Sequence, residues 1–451
     1  MNKNKLLGWS VVAALAGFIF GFDTVVISGA NLPIKELWHT SPLFHGFFIM
    51  SMALWGTVIG AIFGGIPTEK FGRKKVLLWI GILFSISAIG SALAPNPYIF
   101  SFFRFIGGLG IGVSSVAAPT YISEISTAKT RGRLVGMYQF NIVFGILVAF
   151  FSNYLLKGVG GINDWRWMLG VMAIPSLLYT LMVFGVPESP RWLITIKNNL
   201  TRAREILVLI GADDPDKEVN EIIAANNAIK ASVTNEQLFF NNKYKAVLWL
   251  AFFVAFFNQW SGINFILYYA PEILERAGLG SKESLANSIA IGSTNLIFTF
   301  VGLYLIDRIG RKQLLIIGSF GYIISLAAVA WSFYSHAGDV FLLCSLLFFI
   351  ASHAIGQGAV IWVFISEIFP NNVRALGQSF GASVHWVFAA FITLITPFFL
   401  DKDKGIFGHN PWPIFAFFSF MMVMQLVWVL TKVPETRGVS LEELEKKLIH
   451  E

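Results

Sequence analysis

Long apolar runs alternate with short polar connections along most of the chain. A helix that crosses a bilayer needs about 20 mostly apolar residues, and twelve runs reach that length. In lipid each run must satisfy its own backbone hydrogen bonds, which a helix does and an open strand does not. The pattern therefore predicts twelve transmembrane helices, at residues 6–30, 43–66, 76–94, 98–118, 134–157, 167–187, 245–271, 285–306, 313–335, 340–366, 375–399 and 411–432.

The composition supports an all-α integral membrane protein. Hydrophobic residues make up 55% of the 451 residues, and charged residues make up 13%. That charged share is about half the usual one, and a soluble chain could not bury so much apolar surface. The one cysteine, Cys344, excludes an internal disulfide and a cysteine-based metal cage. Because no nucleophile–base pair, metal cluster or phosphate loop is recognisable, we predict neither an enzyme nor a cofactor or metal.

Lysine and arginine are concentrated in alternate connections. With the N-terminus inside, the inner segments hold 25 of the 33 basic residues and the outer loops hold seven, while Arg104 lies within a span. The positive-inside rule then places both termini in the cytoplasm, with the chain in the plasma (inner) membrane. The net charge of +7 is explained by this topology. We therefore expect the protein to have the lipid bilayer as a partner and to bind no nucleic acid.

Residues 188–243 interrupt the pattern, because they are polar and have the periodicity of short amphipathic helices. This stretch separates six spans from six. We therefore predict an N-terminal six-helix half at 1–187, a cytoplasmic helical linker at 188–243, a C-terminal half at 244–433 and a cytoplasmic tail at 434–451.

Three local patterns occur twice in the same order, at offsets of 238, 243 and 247 residues. Their repetition indicates two homologous halves, a construction typical of secondary transporters. The pairs are 'EKFGRKK' from Glu69 with 'DRIGRKQ' from Asp307, 'YISEIS' with 'FISEIF', and 'VPESPRWL' with 'VPETRGVS'.

Together with 'GFDTVVISGA', 'RFIGGLGIG' and 'QWSGINFILYYAPEI', these motifs resemble the sugar porters of the major facilitator superfamily over nearly the whole chain. The chain is similar to bacterial xylose and glucose proton symporters and to mammalian glucose facilitators. The resemblance implies the major facilitator fold, two six-helix halves with short cytoplasmic helices between them. It also implies import of a hexose or pentose with a proton, by alternating access and as a monomer.

The repeated motifs carry charged residues near the predicted inner ends of the spans. Opposite charges there can clamp helix ends, and the clamp can open because exposed pairs contribute only about 0–1 kcal/mol each. The resemblance implies a network between the halves that closes the inner gate; the alternative is a role in topology and solubility. The residues are Glu69, Arg73, Glu124, Arg131, Glu188, Asp307, Arg311, Glu367, Arg374 and Glu435.

Two opposite charges lie well inside the first half, Asp23 in span one and Arg104 in span four. Unpaired, each would cost about 2.5–3.5 kcal/mol or more at the bilayer centre, so we expect them to pair. The pair is either a static salt bridge or a switch whose opening lets Asp23 bind and release a proton. The resemblance supports the switch, because proton-coupled sugar porters carry Asp here and passive relatives often carry an uncharged residue.

A sugar requires neutral groups that donate and accept hydrogen bonds, and an aromatic face against its ring. Amides within spans are costly in lipid and are expected to face inward. Gly262, between two of these amides in span seven, indicates a break in the helix. The sugar-binding candidates are Phe20, Gln139, Asn258, Gln259, Asn264, Tyr268, Asn295, Trp362, His385 and Trp386.

Four residues depart from the family pattern and leave the identity of the sugar open. Asn258 is shorter than the usual Gln, and Ile146 stands where some bacterial members carry a second Gln. Ala359 replaces a typical Pro, and His385 replaces an amide. His385 is either a hydrogen-bonding member of the site or a pH-responsive group.

Three other functions remain open. A passive sugar uniporter differs from a symporter at Asp23. A drug or organic-anion exchanger should show further cavity-facing Lys or Arg besides Arg104. A sugar sensor usually has a long signalling tail, whereas about 18 residues follow the last predicted span.

Overall fold

A computed structural model describes residues 3–126, 130–212, 214–231, 242–370 and 373–439, together with 443, 444 and 448. Within these ranges the regular elements are helices, and no strand occurs. Among the described residues, eleven helices are long and apolar enough to cross a membrane, and one bent pair supplies a twelfth span. The predicted set of twelve transmembrane helices in an all-α protein is confirmed.

The observed helices follow the predicted order and often extend beyond the predicted apolar runs. They run as follows: span one Lys3–Trp38, span two Pro42–Phe44, His45–Met50 and Met52–Phe63, span three Arg73–Leu93, span four Pro97–Ile125, span five Arg131–Leu156, span six Asp164–Gly170 with Ala173–Val183, span seven Lys245–Trp260 with Ile263–Arg276, span eight Ser281–Ile309, span nine Arg311–Ser335, span ten Asp339–Ile355 with Gln357–Ile368, span eleven Arg374–Leu400 and span twelve Trp412–Lys432.

Several spans are broken into shorter helices. Span two contains a π-helical turn at His45–Met50 and bends by 44° before Met52–Phe63. Span seven breaks at Gly262, whose φ of +85° is left-handed and strains any residue with a side chain, so the break predicted there is confirmed. Span ten breaks at Gly356, where an added Cβ would lie 2.8 Å from the Gly318 Cα of span nine. Close backbone packing therefore accompanies this break.

The contacts group the chain into two compact units. The first contains residues 1–24, 55–149 and 166–233, and the second contains 25–54, 150–165 and 234–451. Both units therefore take part of span one. The division at residues 187, 243 and 433 stays a prediction.

In the first unit, spans two and four pack backbone against backbone. A Cβ at Gly60 would lie 2.5 Å from the Leu109 carbonyl oxygen, and one at Gly112 would lie 2.4 Å from that of Thr57. The glycines at these spacings are required because any side chain would separate the helices, as small residues do in membrane packing generally.

The connection after span six contains the predicted short helices, Pro190–Thr195, Leu200–Ile210 and Pro215–Ala231. Ser189 and Asn199 cap the first two through their side-chain oxygens. Residues 232–241, the end of the predicted linker, lie outside the described residues.

Candidate functional site

The first charged cluster ties spans three and four to the segment after span six. The Arg73 guanidinium donates to both oxygens of Glu124, each at 2.8 Å. The Glu188 carboxylate accepts from the backbone N–H of Arg73, Lys74 and Ser189, at 2.9, 3.1 and 2.8 Å. It thus caps the start of span three, a favourable place for an anion. Burial raises the pKa of Glu188, although these backbone bonds and Arg73 oppose the shift.

The second unit contains the same arrangement. The Arg311 guanidinium donates to both oxygens of Glu367, at 3.0 and 2.7 Å. The Glu435 carboxylate accepts from the backbone N–H of Arg311 and Lys312, at 2.9 and 3.1 Å. Thr436 donates to Glu367 as Ser189 does to Glu124, at 2.6 Å in both clusters. The three sequence repeats therefore form equivalent clusters, each within its own half of the chain.

Glycine begins both capped helices. Gly72 and Gly310 have φ of +93° and +107°, which favour glycine. A Cβ at Gly72 would lie 2.4 Å from a Glu188 oxygen, and one at Gly310 would lie 2.5 Å from a Glu435 oxygen. Each glycine therefore leaves room for the carboxylate that caps its helix.

The remaining predicted gate residues are placed less tightly. Glu69 is exposed, and its carbonyl oxygen accepts from Trp192 Nε1 at 2.6 Å. Asp307 is exposed and pairs with Arg311 at 3.0 Å. Arg374 Nε donates to the Phe369 carbonyl at 3.3 Å. The side chain of Arg131 lies outside the described residues.

Asp23 and Arg104 form the expected buried ion pair, which is confirmed. Arg104 NH1 contacts Asp23 Oδ1, and Arg104 NH2 donates to the Asp23 carbonyl at 3.2 Å. The two residues are 0% and 1% exposed. Within the described part of the chain, Asp23 Oδ2 and Arg104 Nε have no hydrogen-bond partner. A Cβ at Gly107 would lie 3.7 Å from Asp23 Oδ2, so the open face of the carboxylate is lined by glycine.

The second unit contains a neutral polar cluster centred on Gln259. Its Nε2 donates to Asn258 Oδ1 at 3.0 Å, and its Oε1 accepts from Asn264 Nδ2 at 2.9 Å. Nε2 also lies 3.2 and 3.1 Å from the two ring nitrogens of His385. Because an amide nitrogen only donates, the imidazole must accept and is therefore neutral. The break in span seven brings Asn264 back towards Gln259.

Aromatic rings surround this imidazole. The Trp362 ring centroid lies 5.0 Å from that of His385, and the Trp386 centroid lies 4.8 Å from it in an edge-on arrangement. Trp362 remains 38% exposed, whereas Trp386 is 7% exposed. An accessible indole beside buried amides has the properties required of an aromatic face for a sugar ring.

The other sugar-binding candidates are divided between the units. Tyr268 and Asn295 are buried in the second unit, on spans seven and eight. Phe20 and Gln139 lie in the first, Phe20 being 7% exposed and one turn before Asp23. The structure thus places Asn258, Gln259, Asn264, Trp362, His385 and Trp386 in one cluster.

Sequence reasoning missed a second set of buried polar residues in the second unit. Asn31 of span one donates to Glu272 of span seven at 2.7 Å, and His45 Nε2 lies 2.8 Å from Asn31 Oδ1. Farther along the chain, Tyr322 lies 2.6 Å from His353 Nδ1. The rule that singled out amides within spans would have found Asn31 if span one had been predicted to reach Trp38.

Comparison with known proteins identifies the family. Residues 9–448 match the model of the family described as "Sugar (and other) transporter". The chain is 35% identical over 443 residues to the arabinose-proton symporter of Bacillus subtilis, covering 97% of this chain and 94% of that protein. It is 33% identical over 480 residues to the D-xylose-proton symporter of Escherichia coli, covering 98% and 96%.

Solved structures give the same answer. The partially occluded inward-open structure of the E. coli xylose transporter XylE superposes with a TM-score of 0.84, at 31% identity, and covers 97% of this chain and 100% of that one. A structure of the major facilitator proton:xylose symporter XylE bound to 6-bromo-6-deoxy-D-glucose superposes with a TM-score of 0.79, at 32% identity, covering 99% and 100%. The family match, the identities and the twelve-helix fold together show that this chain belongs to the sugar transporter family of the major facilitator superfamily.

Proposed function

We propose that this protein imports a monosaccharide, a hexose or pentose such as glucose or xylose, together with a proton. It acts by alternating access, as a monomer in the plasma (inner) membrane, with both termini in the cytoplasm. The observation that carries the proposal is the combination of a buried Asp23–Arg104 pair with a neutral amide and aromatic cluster around Gln259. Relatives named as arabinose-, xylose- and galactose-proton symporters support the same assignment.

The cluster around Gln259 recognises sugar hydroxyls. Its amides already satisfy one another, so a hydroxyl that donates and accepts replaces a hydrogen bond between amides without leaving a buried polar group unpaired. Binding by such replacement needs no net charge on the sugar. The exposed face of Trp362 packs against the weakly apolar ring face, and His385 supplies an acceptor where the family usually has an amide.

The Asp23–Arg104 pair carries the proton. Asp23 Oδ2 has a free lone pair inside the protein, so it can take a proton when Arg104 moves away. Protonation of Asp23 removes a buried charge that would otherwise be left unpaired. It therefore lowers the free energy of the state in which Asp23 and Arg104 are separated. The membrane potential supplies about 2.3 kcal/mol per charge for each 100 mV. Because the proton and the sugar move inward together, this free energy drives accumulation of the sugar.

The two charged clusters hold the inner gate. Arg73 with Glu124 and Arg311 with Glu367 are bidentate pairs, which fix helix ends more firmly than single contacts do. Each cluster holds the inner helix ends of its own half in a fixed arrangement. The halves form and break the contacts of the gate through these helix ends during the transport cycle.

Purified protein in proteoliposomes tests the proposal with a panel of labelled aldoses. Counterflow of one or more of these sugars, and its accumulation when the outside is acidified, is the expected result. Counterflow without accumulation would indicate a passive uniporter. Movement of no aldose would overturn the assignment of the substrate class.

A further inference from the structure

A chain of buried hydrogen bonds joins spans one, two and seven in the second unit. Asn31 Nδ2 donates to Glu272 Oε2 at 2.7 Å, His45 Nε2 lies 2.8 Å from Asn31 Oδ1, and Thr40 Oγ1 lies 2.8 Å from His45 Nδ1. Asn31, His45, Glu272 and Thr40 are 2%, 1%, 6% and 9% exposed. The distribution of Lys and Arg between the inner and outer connections places these hydrogen bonds at the predicted outer end of the spans.

The direction of each bond follows from the chemistry of the groups. Because the Asn31 amide nitrogen faces a carboxylate, its oxygen faces His45, and His45 Nε2 must donate. His45 Nδ1 is then the acceptor of the neutral ring, and the Thr40 hydroxyl donates to it. Thr40 therefore sets the tautomer of His45, and His45 sets the orientation of the Asn31 amide. His45 is a positioning residue for the bond from Asn31 to Glu272.

On the other side of Glu272, the connection continues into the segment after span eleven. Arg276 NH2 lies 3.2 Å from Glu272 Oε1 and donates to the Leu400 carbonyl at 2.7 Å, while NH1 donates to the Gly408 carbonyl at 3.0 Å. A parallel link joins Lys35 of span one to Asp401. Span one is thus attached to span seven and to the segment after span eleven by two polar links.

Two of these three helices, spans one and seven, also carry residues of the proposed transport sites. Asn31 follows Asp23 by eight residues on one continuous helix, and Glu272 follows Asn264 by eight residues. Eight residues of helix span about 12 Å. The span-seven segment Ile263–Arg276 starts at the Gly262 break and has a non-helical residue, Tyr269 with φ −115° and ψ 15°. The segment can therefore bend at Gly262 and again at Tyr269, which lies between Asn264 and Glu272, and a swing about Gly262 moves both of these residues together.

We propose that Asn31, His45 and Glu272 form an outer latch that holds span one against span seven and must open for the substrate to enter. The inference rests on the proposed transport function and topology. A polar cavity of about 600 Å³, lined in part by Lys35, Glu272 and Arg276, borders the latch. Opening the latch connects this cavity with the buried segment of span one beneath Asn31.

A cysteine placed beneath the latch tests the proposal. Ser28 lies one turn before Asn31 and is 4% exposed, so Ser28→Cys reports entry of a membrane-impermeant maleimide from outside. Cys344, which is exposed, is first replaced by serine. In full-length protein in proteoliposomes, Asn31→Ala should speed labelling about tenfold, because loss of one hydrogen bond to a charged group changes the closed-to-open ratio by that order.

Two further variants separate a latch from general loosening. Glu272→Gln supplies an amide oxygen that still accepts from Asn31 but removes the charge, so its labelling rate should rise less than that of Asn31→Ala. Asn153→Ala is the matched control, since Asn153 is 0% exposed and donates to the Val26 carbonyl of span one at 3.1 Å, a bond that does not involve Glu272. Labelling as fast in Asn153→Ala as in Asn31→Ala, or unchanged in Asn31→Ala, would overturn the latch.

Sugar counterflow measured on the same vesicles keeps the two proposals separate. Asn31→Ala should retain counterflow and reduce concentrative uptake, because the outer side closes less often while the sugar leaves inside. If no aldose moves in the parent protein, the transport function fails, and the labelling rates still decide the latch.

Discussion

Two buried polar sites differ in charge: the Asp23–Arg104 pair of the first unit is charged, whereas the cluster around Gln259 in the second unit is neutral. Asp23 and Arg104 neutralise each other and leave Asp23 Oδ2 and Arg104 Nε without partners among the described residues. Gln259 uses both ends of its amide, with Asn264 on one side and Asn258 and His385 on the other. A centre with an unused lone pair suits a group that changes protonation state. A centre in which amides bind each other suits a ligand that exchanges one hydrogen bond for another.

Removing the charge from the first centre should have the largest effect. Asp23→Asn keeps the shape but cannot carry a proton, so accumulation driven by a pH gradient or a membrane potential should vanish. At roughly 150 mV one charge supplies about 3.5 kcal/mol, or a few hundred-fold accumulation, and the variant should fall to equilibration. Labelled-sugar uptake in proteoliposomes measures this, and counterflow should remain.

The control for that variant is Asp164→Asn. Asp164 is also buried and ion-paired, with Lys157 at 3.1 Å, but it belongs to the second unit, whereas Asp23 belongs to the first. Accumulation should survive this change. If Asp23→Asn still concentrates sugar like the parent, the charged centre does not couple the proton.

Truncating the centre of the neutral cluster should have the next largest effect. Gln259→Ala should weaken sugar binding by about 1–2 kcal/mol, the range for a lost buried hydrogen bond, and Trp362→Ala should do the same by removing the aromatic face. Calorimetric titration measures both. Gln357→Ala is the control, since Gln357 is equally buried and bonds Gln425 at 3.1 Å outside the cluster. Equal losses in the control would mean that Gln259 acts only in packing.

A change of chemistry at His385 should alter selectivity more than affinity. His385→Gln and His385→Asn restore an amide and should keep transport while changing the ranking among sugars. His385→Ala should weaken binding of every substrate. Competition of unlabelled aldoses against one labelled sugar gives the ranking. An unchanged ranking and unchanged affinity in all three variants would place His385 outside the binding surface and leave the span-eleven contact to Trp386.

The smallest expected effect concerns a charge that should not titrate during transport. Burial favours a higher pKa for Asp401, but the hydrogen bond from Lys35 and the backbone N–H of Lys404 and Asp403 outweigh it and hold the pKa below 3.8. The resulting stability is present above that value and is lost as the pH falls through the lowered pKa. Lys35→Met should therefore lower the unfolding temperature equally at pH 5 and pH 7.5. A loss confined to one of these values would contradict the assignment.

The sequence predicted most of the fold because its signals are local. Twelve apolar runs, the Gly262 break and the capped helices after span six each depend on a short stretch of chain. The predicted ends failed where polar residues continue a helix. Span one was predicted to stop at residue 30, but the helix continues to Trp38. Its polar residues Asn31 and Lys35 are held there by partners more than 200 residues away, Glu272 and Asp401.

One part of the candidate site could likewise be predicted from the sequence, and another part could not. The Asp23–Arg104 pair could be predicted because an unpaired charge in lipid is costly and few opposite charges were available. The contact of Gln259 with His385 joins residues 126 apart and could not be read from spacing. Nor does a single amide or carboxylate at a span end, such as Glu272, show whether it faces lipid headgroups or another helix.

The glycine contact between spans two and four has a mechanical consequence. Where Gly60 and Gly112 meet, backbone touches backbone and no side chains interlock. Sliding one helix along the other there requires no rotamer to change, so resistance to shear is low while resistance to separation or compression is high. A methyl group at either glycine would act as a wedge that tilts the two helices apart. Such a methyl group would change the stiffness of the first unit, while the chemistry of its buried charges would stay the same.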